Sequence, residues 1–142
     1  MNINMIVNRA ELTPSRAHPT DAGSDLKSAN EVVVKAHSKT TINTGVKLEI
    51  PKSYYGLVNI RSGFGTKFGL RMANTVGIID SDYRGEILVI LQNDTDFDVT
   101  IEENERFAQL LILPDIYPKF VPVKKLTETK RGSGGFGHTG TK

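Results

Sequence analysis

Residues 32–50 read Val32-Val33-Val34-Lys35-Ala36-His37-Ser38-Lys39-Thr40-Thr41-Ile42-Asn43-Thr44-Gly45-Val46-Lys47-Leu48-Glu49-Ile50. From Val46 to Ile50 apolar and charged side chains alternate strictly, the period that sends every second residue to one face of a half-buried strand. Val32 to Ala36 and Thr40 to Thr44 are rich in β-branched residues, and turn-forming residues separate the three runs. The same reading extends outward to strands at Ile3 to Val7, Leu57 to Ile60, Ile87 to Gln92, Val99 to Ile101, Phe107 to Leu113 and Phe120 to Val123. No helical pattern of ten or more residues competes. The nearest is Ser62 to Phe68, where Gly63 and Gly65 each weaken a helix by about 1 kcal/mol relative to alanine, so one or two turns are expected. Many short strands with Gly, Pro, Asn and Asp between them predict an all-β sandwich, barrel or jelly roll. Oligomerisation is one way to manage its edge strands.

A chain of 142 residues fits one domain and can bury roughly two thirds of its unfolded surface. Its hydrophobic fraction of 38% and charged fraction of 24% belong to a globular protein, and no apolar run reaches bilayer length. The stretch Met1 to Arg9 lacks the basic start and continuous apolar core of an export signal, so a soluble, cytoplasmic protein is expected. Cysteine is absent, which excludes disulfides and thiol nucleophiles. His18, His37 and His138 stand at no ligand spacing, so any metal is expected to be magnesium and not zinc. A net charge of +2 with the two signs mixed along the chain gives no basic stripe for a nucleic-acid polymer. Residues 1–123 read as the folded domain and 124–142 as an arm. From Lys130 onward five glycines and one aromatic cannot bury enough surface to order the segment alone.

Five segments carry chemistry. In Gly77-Ile78-Ile79-Asp80-Ser81-Asp82-Tyr83-Arg84-Gly85, two acids and an aromatic follow an apolar strand, and an ionised carboxylate at a strand end can orient and deprotonate water. Taken alone, a solvated polar turn explains this segment equally well. Arg61-Ser62-Gly63-Phe64-Gly65 offers a cation, a hydroxyl and backbone N–H groups where a strand turns, a natural phosphate contact; alone, an ordinary turn is the better reading. Arg131-Gly132-Ser133-Gly134-Gly135-Phe136-Gly137-His138-Thr139-Gly140 lets backbone wrap a polyphosphate and offers Phe136 to a base. It lacks the Gly-Lys-Ser/Thr of a Walker loop, and alone it reads as a functionless tail. Ala22-Gly23-Ser24-Asp25-Leu26 and Glu105-Arg106-Phe107-Ala108-Gln109-Leu110 are weak singly: Asp25 could be a turn residue and Gln109 a polar residue on a sheet face.

Together, in this order, the five segments closely resemble the motifs of the trimeric dUTP pyrophosphatase (dUTPase) family, over residues 22–140. The resemblance implies a β jelly roll that forms a homotrimer, with each site built from three chains and the Gly-rich arm completing it. It implies hydrolysis of dUTP to dUMP and pyrophosphate, which keeps uracil out of DNA and supplies dUMP for dTMP synthesis. Asp80 matches the carboxylate that activates water for attack on the α-phosphorus, and Tyr83 the aromatic beneath the deoxyribose that leaves no room for a 2′-hydroxyl. Asn74, Gly77 and Ile79 match a hairpin, near Leu70 to Gly77, that reads uracil largely through backbone groups. Arg61, Ser62, Gly63, Gln109, Arg131, Gly135 and Gly137 match polyphosphate contacts, and Phe136 matches the ring that stacks on uracil. Asp25 matches an acid that holds Mg2+ through water. Asp82 and Arg84 are expected to shape the loop or pair between subunits. Two departures stand out: Ile60 where the family commonly has proline, and Phe64 where it commonly has leucine.

Other readings are a dCTP deaminase-related enzyme on the same jelly roll, a trimeric binding or regulatory protein that engages a partner such as a repressor, and a structural capsid-type jelly roll. The Asp80–Tyr83 segment and the complete arm favour hydrolysis over the deaminase; regulation would be an addition to intact hydrolytic groups, and a capsid role leaves the co-occurring acid, hydroxyl and glycine arm unexplained.

Overall fold

The computed structural model describes residues 1–135. Eleven strands and one short helix follow one another as β1 (Asn4–Val7), a 3-10 turn (Ala10–Leu12), β2 (Ser24–Lys27), β3 (Val32–Val34), β4 (Lys39–Asn43), β5 (Val46–Glu49), β6 (Tyr54–Ile60), α1 (Ser62–Phe68), β7 (Leu70–Met72), β8 (Gly77–Ile79), β9 (Leu88–Asn93), β10 (Val99–Ile101) and β11 (Arg106–Pro114). All pairings are antiparallel. They form sheets in the order β2-β11-β6-β8 and β4-β9-β7, with β1 on β5 and β3 on β10 as two-stranded ribbons. Apolar faces of these sheets meet in one core that includes Leu26, Val34, Ile42, Val46, Val58, Val89, Leu91, Ile101 and Phe107. The fold is an all-β jelly roll.

The alternation read from the sequence is the alternation of burial: in β5, Val46 and Leu48 are buried while Lys47 and Glu49 face solvent. Strand ends shift where side chains compete with the ladder. Thr44 leaves β4 because its hydroxyl donates to the Ile87 carbonyl at 2.8 Å, and β3 stops at Val34 before the Asp98 carboxylate accepts the Ala36 N–H at 2.9 Å. β6 begins earlier than expected because Tyr54 and Tyr55 pair with Pro114 and Leu113. Two strands were not foreseen. β2 holds the Asp25 segment against β11, and β7 is only three residues long.

The strand expected at Phe120 to Val123 does not form. Residues 115–135 run without sheet pairing, and Phe120 is 87% and Val121 66% exposed. The alternation there has no partner within one chain. α1 makes two turns despite its glycines because Phe64 is buried in the core and stacks obliquely on Phe68, ring centres 5.5 Å apart. Gly69 ends it at φ +67° in the left-handed region, its N–H returning to the Gly65 carbonyl. The unusual Phe64 is therefore the anchor of this turn.

Candidate active site

The loop after β8 is built around Asp80. The Tyr83 N–H closes a turn on the Asp80 carbonyl at 3.1 Å. The Arg84 guanidinium then donates to the carbonyls of Ser81 (2.8 Å) and Tyr83 (3.0 Å), and it lies 3.9 Å from Glu49 on β5. Arg84 thus shapes the loop, as expected. The Tyr83 ring lies across Gly85, where a β-carbon would overlap it, and its hydroxyl donates to the Glu86 carbonyl at 2.9 Å. Asp80, Tyr83, Ile78, Ile79, Glu86 and Leu88 line a shallow depression of about 150 Å³. A carboxylate and an aromatic face open solvent side by side there.

Asn74 stands exposed on the turn between β7 and β8, where Thr75 takes φ +63° and the Val76 N–H bonds the Asn74 carbonyl. The two strands do not pair with each other as a hairpin would. β7 lies on β9 and β8 on β6, so the turn bridges two sheets. Gly77 sits where a β-carbon would come 3.3 Å from that of Val58, so the backbone there runs close to β6. Ile79 pairs with Gly56.

A second group gathers on β2, β11 and the start of α1. Asp25 is 3% exposed, and its Oδ1 faces the Arg61 Nε at 3.2 Å and the Gln109 amide at 3.3 Å. Its Oδ2 accepts from Arg106 at 3.1 Å. Arg61 also donates to the Arg106 carbonyl at 3.1 Å. A buried charge survives only when paired and hydrogen-bonded, and here two cations and an amide supply that. Beside it Arg61, Ser62, Gly63, Phe64, Lys67, Phe68 and Glu105 line an open cleft of about 450 Å³. Ser62 is exposed at the first position of α1, whose first N–H groups have no intrahelical acceptor. Arg106 is the member of this group that sequence reasoning quoted without a role. A buried ion pair depends on β2 meeting β11, which no local pattern announces.

The donor set at Asp25 can be weighed against a divalent cation. No cluster of three or more His, Cys, Asp or Glu able to hold a metal occurs among the described residues. A carboxylate offers about four lone-pair sites, and Oδ1 of Asp25 has two partners where Oδ2 has one. That leaves room for a water donor but not for a direct ligand cage.

The two groups do not meet within one chain. Gly56 faces Ile79, while Ser62 follows the far end of β6. At about 3.3 Å per strand residue, Asp80 and Ser62 are roughly 20 Å apart. Arg131 donates to Gly134 at 3.0 Å within its own turn, and Gly135 lies in the unpaired stretch beyond β11. Phe136 and Gly137 lie outside the described residues.

A family model described as dUTPase matches residues 10–140. The chain belongs to the dUTPase family. Among curated members of that family, the deoxyuridine 5'-triphosphate nucleotidohydrolase of Clostridium novyi (strain NT) is 41% identical over 133 residues, covering 94% of each chain. That of Paramecium bursaria Chlorella virus 1 is 41% identical over 128 residues, covering 90% of this chain and 89% of the relative. Among solved structures, Staphylococcus bacteriophage 80alpha dUTPase with dUpNHpp superposes with a TM-score of 0.90 at 30% identity, covering 98% of each chain. The dUTPase of phage phi11 of S. aureus superposes at 0.82 and 27% identity, over 91% of this chain and all of that one. The dUTPase segments identified in the sequence thus fall on the two groups described above, with the Gly-rich segment following β11. No helix among the described residues is long and apolar enough to cross a membrane.

Proposed function

We propose that the chain hydrolyses dUTP to dUMP and pyrophosphate in a site assembled from neighbouring copies of itself. The observation that carries this is the paired placement of Asp80 and Tyr83 in one depression of a dUTPase-family fold. Asp80 takes a proton from a water held in line with the α-phosphorus. Nucleophilic attack there makes pyrophosphate the leaving group. Tyr83 lies under the deoxyribose and excludes a 2′-hydroxyl. Backbone groups between Leu70 and Gly77, shaped by Asn74 and with Ile79 beside them, read the uracil edge. Cytosine is refused because an unpaired buried donor costs about 1–3 kcal/mol.

Arg61, Ser62, Gly63 and Gln109 bind the phosphate chain, and the pairing of Arg61 with Asp25 holds that guanidinium ready. Asp25 would hold a magnesium ion through water, and the ion would neutralise charge on the triphosphate. Arg131, Gly135 and Gly137 contribute from the arm, where Phe136 stacks on the base. Fixing some ten residues costs on the order of 10 kcal/mol, so a ligand with both base and triphosphate closes the arm where dUMP does not. The separation of Asp80 from Ser62 along β6 supports a trimer whose sites draw on several chains.

Pyrophosphate release from dUTP, dCTP, dTTP and UTP with magnesium tests the reading. Turnover of dUTP far above the other three is expected. Release of ammonia from dCTP would replace hydrolysis with the deaminase reading, and comparable pyrophosphate release without it would overturn the selectivity for uracil.

A further inference from the structure

We propose that Glu86 is a positioning residue for sugar discrimination, acting through Tyr83. The inference rests on the placement of Tyr83 under the deoxyribose given above. Tyr83 is 42% exposed, so little packing holds its ring, and a ring that excludes one hydroxyl group has to be fixed. The fixed points are Gly85, which admits the ring across its backbone, and the carbonyl of Glu86, which accepts the phenol at 2.9 Å. That carbonyl is only as steady as residue 86.

Residue 86 is fastened to the turn joining β4 and β5. The Glu86 Oε1 accepts the Gly45 N–H at 2.7 Å and the Asn43 side-chain amide at 3.2 Å. The Ile87 N–H donates to the Val46 carbonyl at 2.9 Å, and the Thr44 hydroxyl returns to the Ile87 carbonyl at 2.8 Å. Gly45 takes φ +69°, which turns its N–H toward the carboxylate, and a β-carbon there would strike Leu12. The Glu86 side chain and the 86–87 peptide group therefore together carry the stiffness of the core turn to the phenol, the side chain from one flank and the Ile87 N–H from the other. Glu86 itself lines the depression that holds Asp80 and Tyr83.

The test measures kcat/KM for dUTP and UTP in the native protein, Glu86→Ala, Glu86→Gln, Tyr83→Phe and the Glu86→Ala/Tyr83→Phe double variant. Loss of the two hydrogen bonds that the Glu86 carboxylate accepts lowers the dUTP-to-UTP ratio by about tenfold in Glu86→Ala, chiefly by lowering KM for UTP. Tyr83→Phe lowers the ratio similarly, and the double variant falls no further, because both break one path. Glu86→Gln stays within about twofold of native, since its amide oxygen still accepts from Gly45. A Glu86→Ala protein with a lower melting temperature and an unchanged ratio overturns the proposal, as do additive losses in the double variant. Should Glu86→Ala fail to fold, Asn43→Ala serves: a smaller loss of the ratio supports the proposal and an unchanged ratio overturns it. A native protein that does not prefer dUTP over UTP defeats the reading of Tyr83 itself, and the proposal with it.

Discussion

Asp80 is an exposed side chain on a turn whose shape is kept by backbone bonds, its own carbonyl's among them, and by Arg84, not by its carboxylate. Removing its charge should therefore leave the loop standing. Asp80→Asn is expected to bind dUTP while losing turnover by about 10²–10⁴-fold, the usual worth of a general base. Isothermal titration with dUpNHpp beside a pyrophosphate assay reads both quantities, and a variant that loses binding as severely as turnover would give Asp80 a structural role. At this scale the residue types of the site were readable: the acids, the tyrosine, the serine and the glycines all stand in short local segments. Their anchors were not. Glu86 bonds Gly45 and Arg106 bonds Asp25 across 41 and 81 positions of chain, and such pairs exist only once strands have chosen partners.

Among the elements, period-2 patterning located most of the strands, and Val99–Ile101 agrees to the residue. It missed β7, where Leu70-Arg71-Met72 has no β-branched residue to mark a strand, unlike the Val-Thr-Ile of β10. It overreached at Phe120 to Val123, where a strand-like pattern has nothing in its own chain to pair with. β7 is also where an electrostatic prediction belongs. Arg71 of β7 ion-pairs with Asp94 just past β9, and the hydrogen bond from Arg71 holds the Asp94 carboxyl below the usual aspartate range. A depressed carboxyl contributes stability that is present above its unfolded pKa, near 4, and lost as pH falls through its folded value. Asp94→Asn should accordingly melt slightly below the native protein at pH 7, and the two curves should converge in acid. Thermal unfolding from pH 7 down to about 3 checks this; a gap that widens in acid would contradict it.

For the whole molecule, what the core leaves uncovered matters as much as what it buries. Ile78 is 62% exposed and Leu88 47%, both beside Asp80, while Ile116, Phe120 and Leu126 project from the stretch after β11. Covering these side chains is the task a neighbouring copy would perform in the proposed shared site. Nothing in periodicity bears on the number or symmetry of chains; the expectation of a trimer came from the family resemblance alone. If sites are shared, two defective proteins can repair each other. Ser62→Ala and Asp80→Asn, each weak alone, are mixed, dissociated and reassembled, and about a quarter of the sites in random hybrids then carry both native groups. Activity clearly above either parent is expected, and activity at the parental average would mean that one chain supplies both.

The chemistry itself is read most directly with isotopic water. Hydrolysis of dUTP by the native protein in 18O-enriched water should place the label in the phosphate of dUMP and none in pyrophosphate, because the water that Asp80 activates attacks the α-phosphorus. Label appearing in pyrophosphate would put the attack on the β-phosphorus and contradict the account.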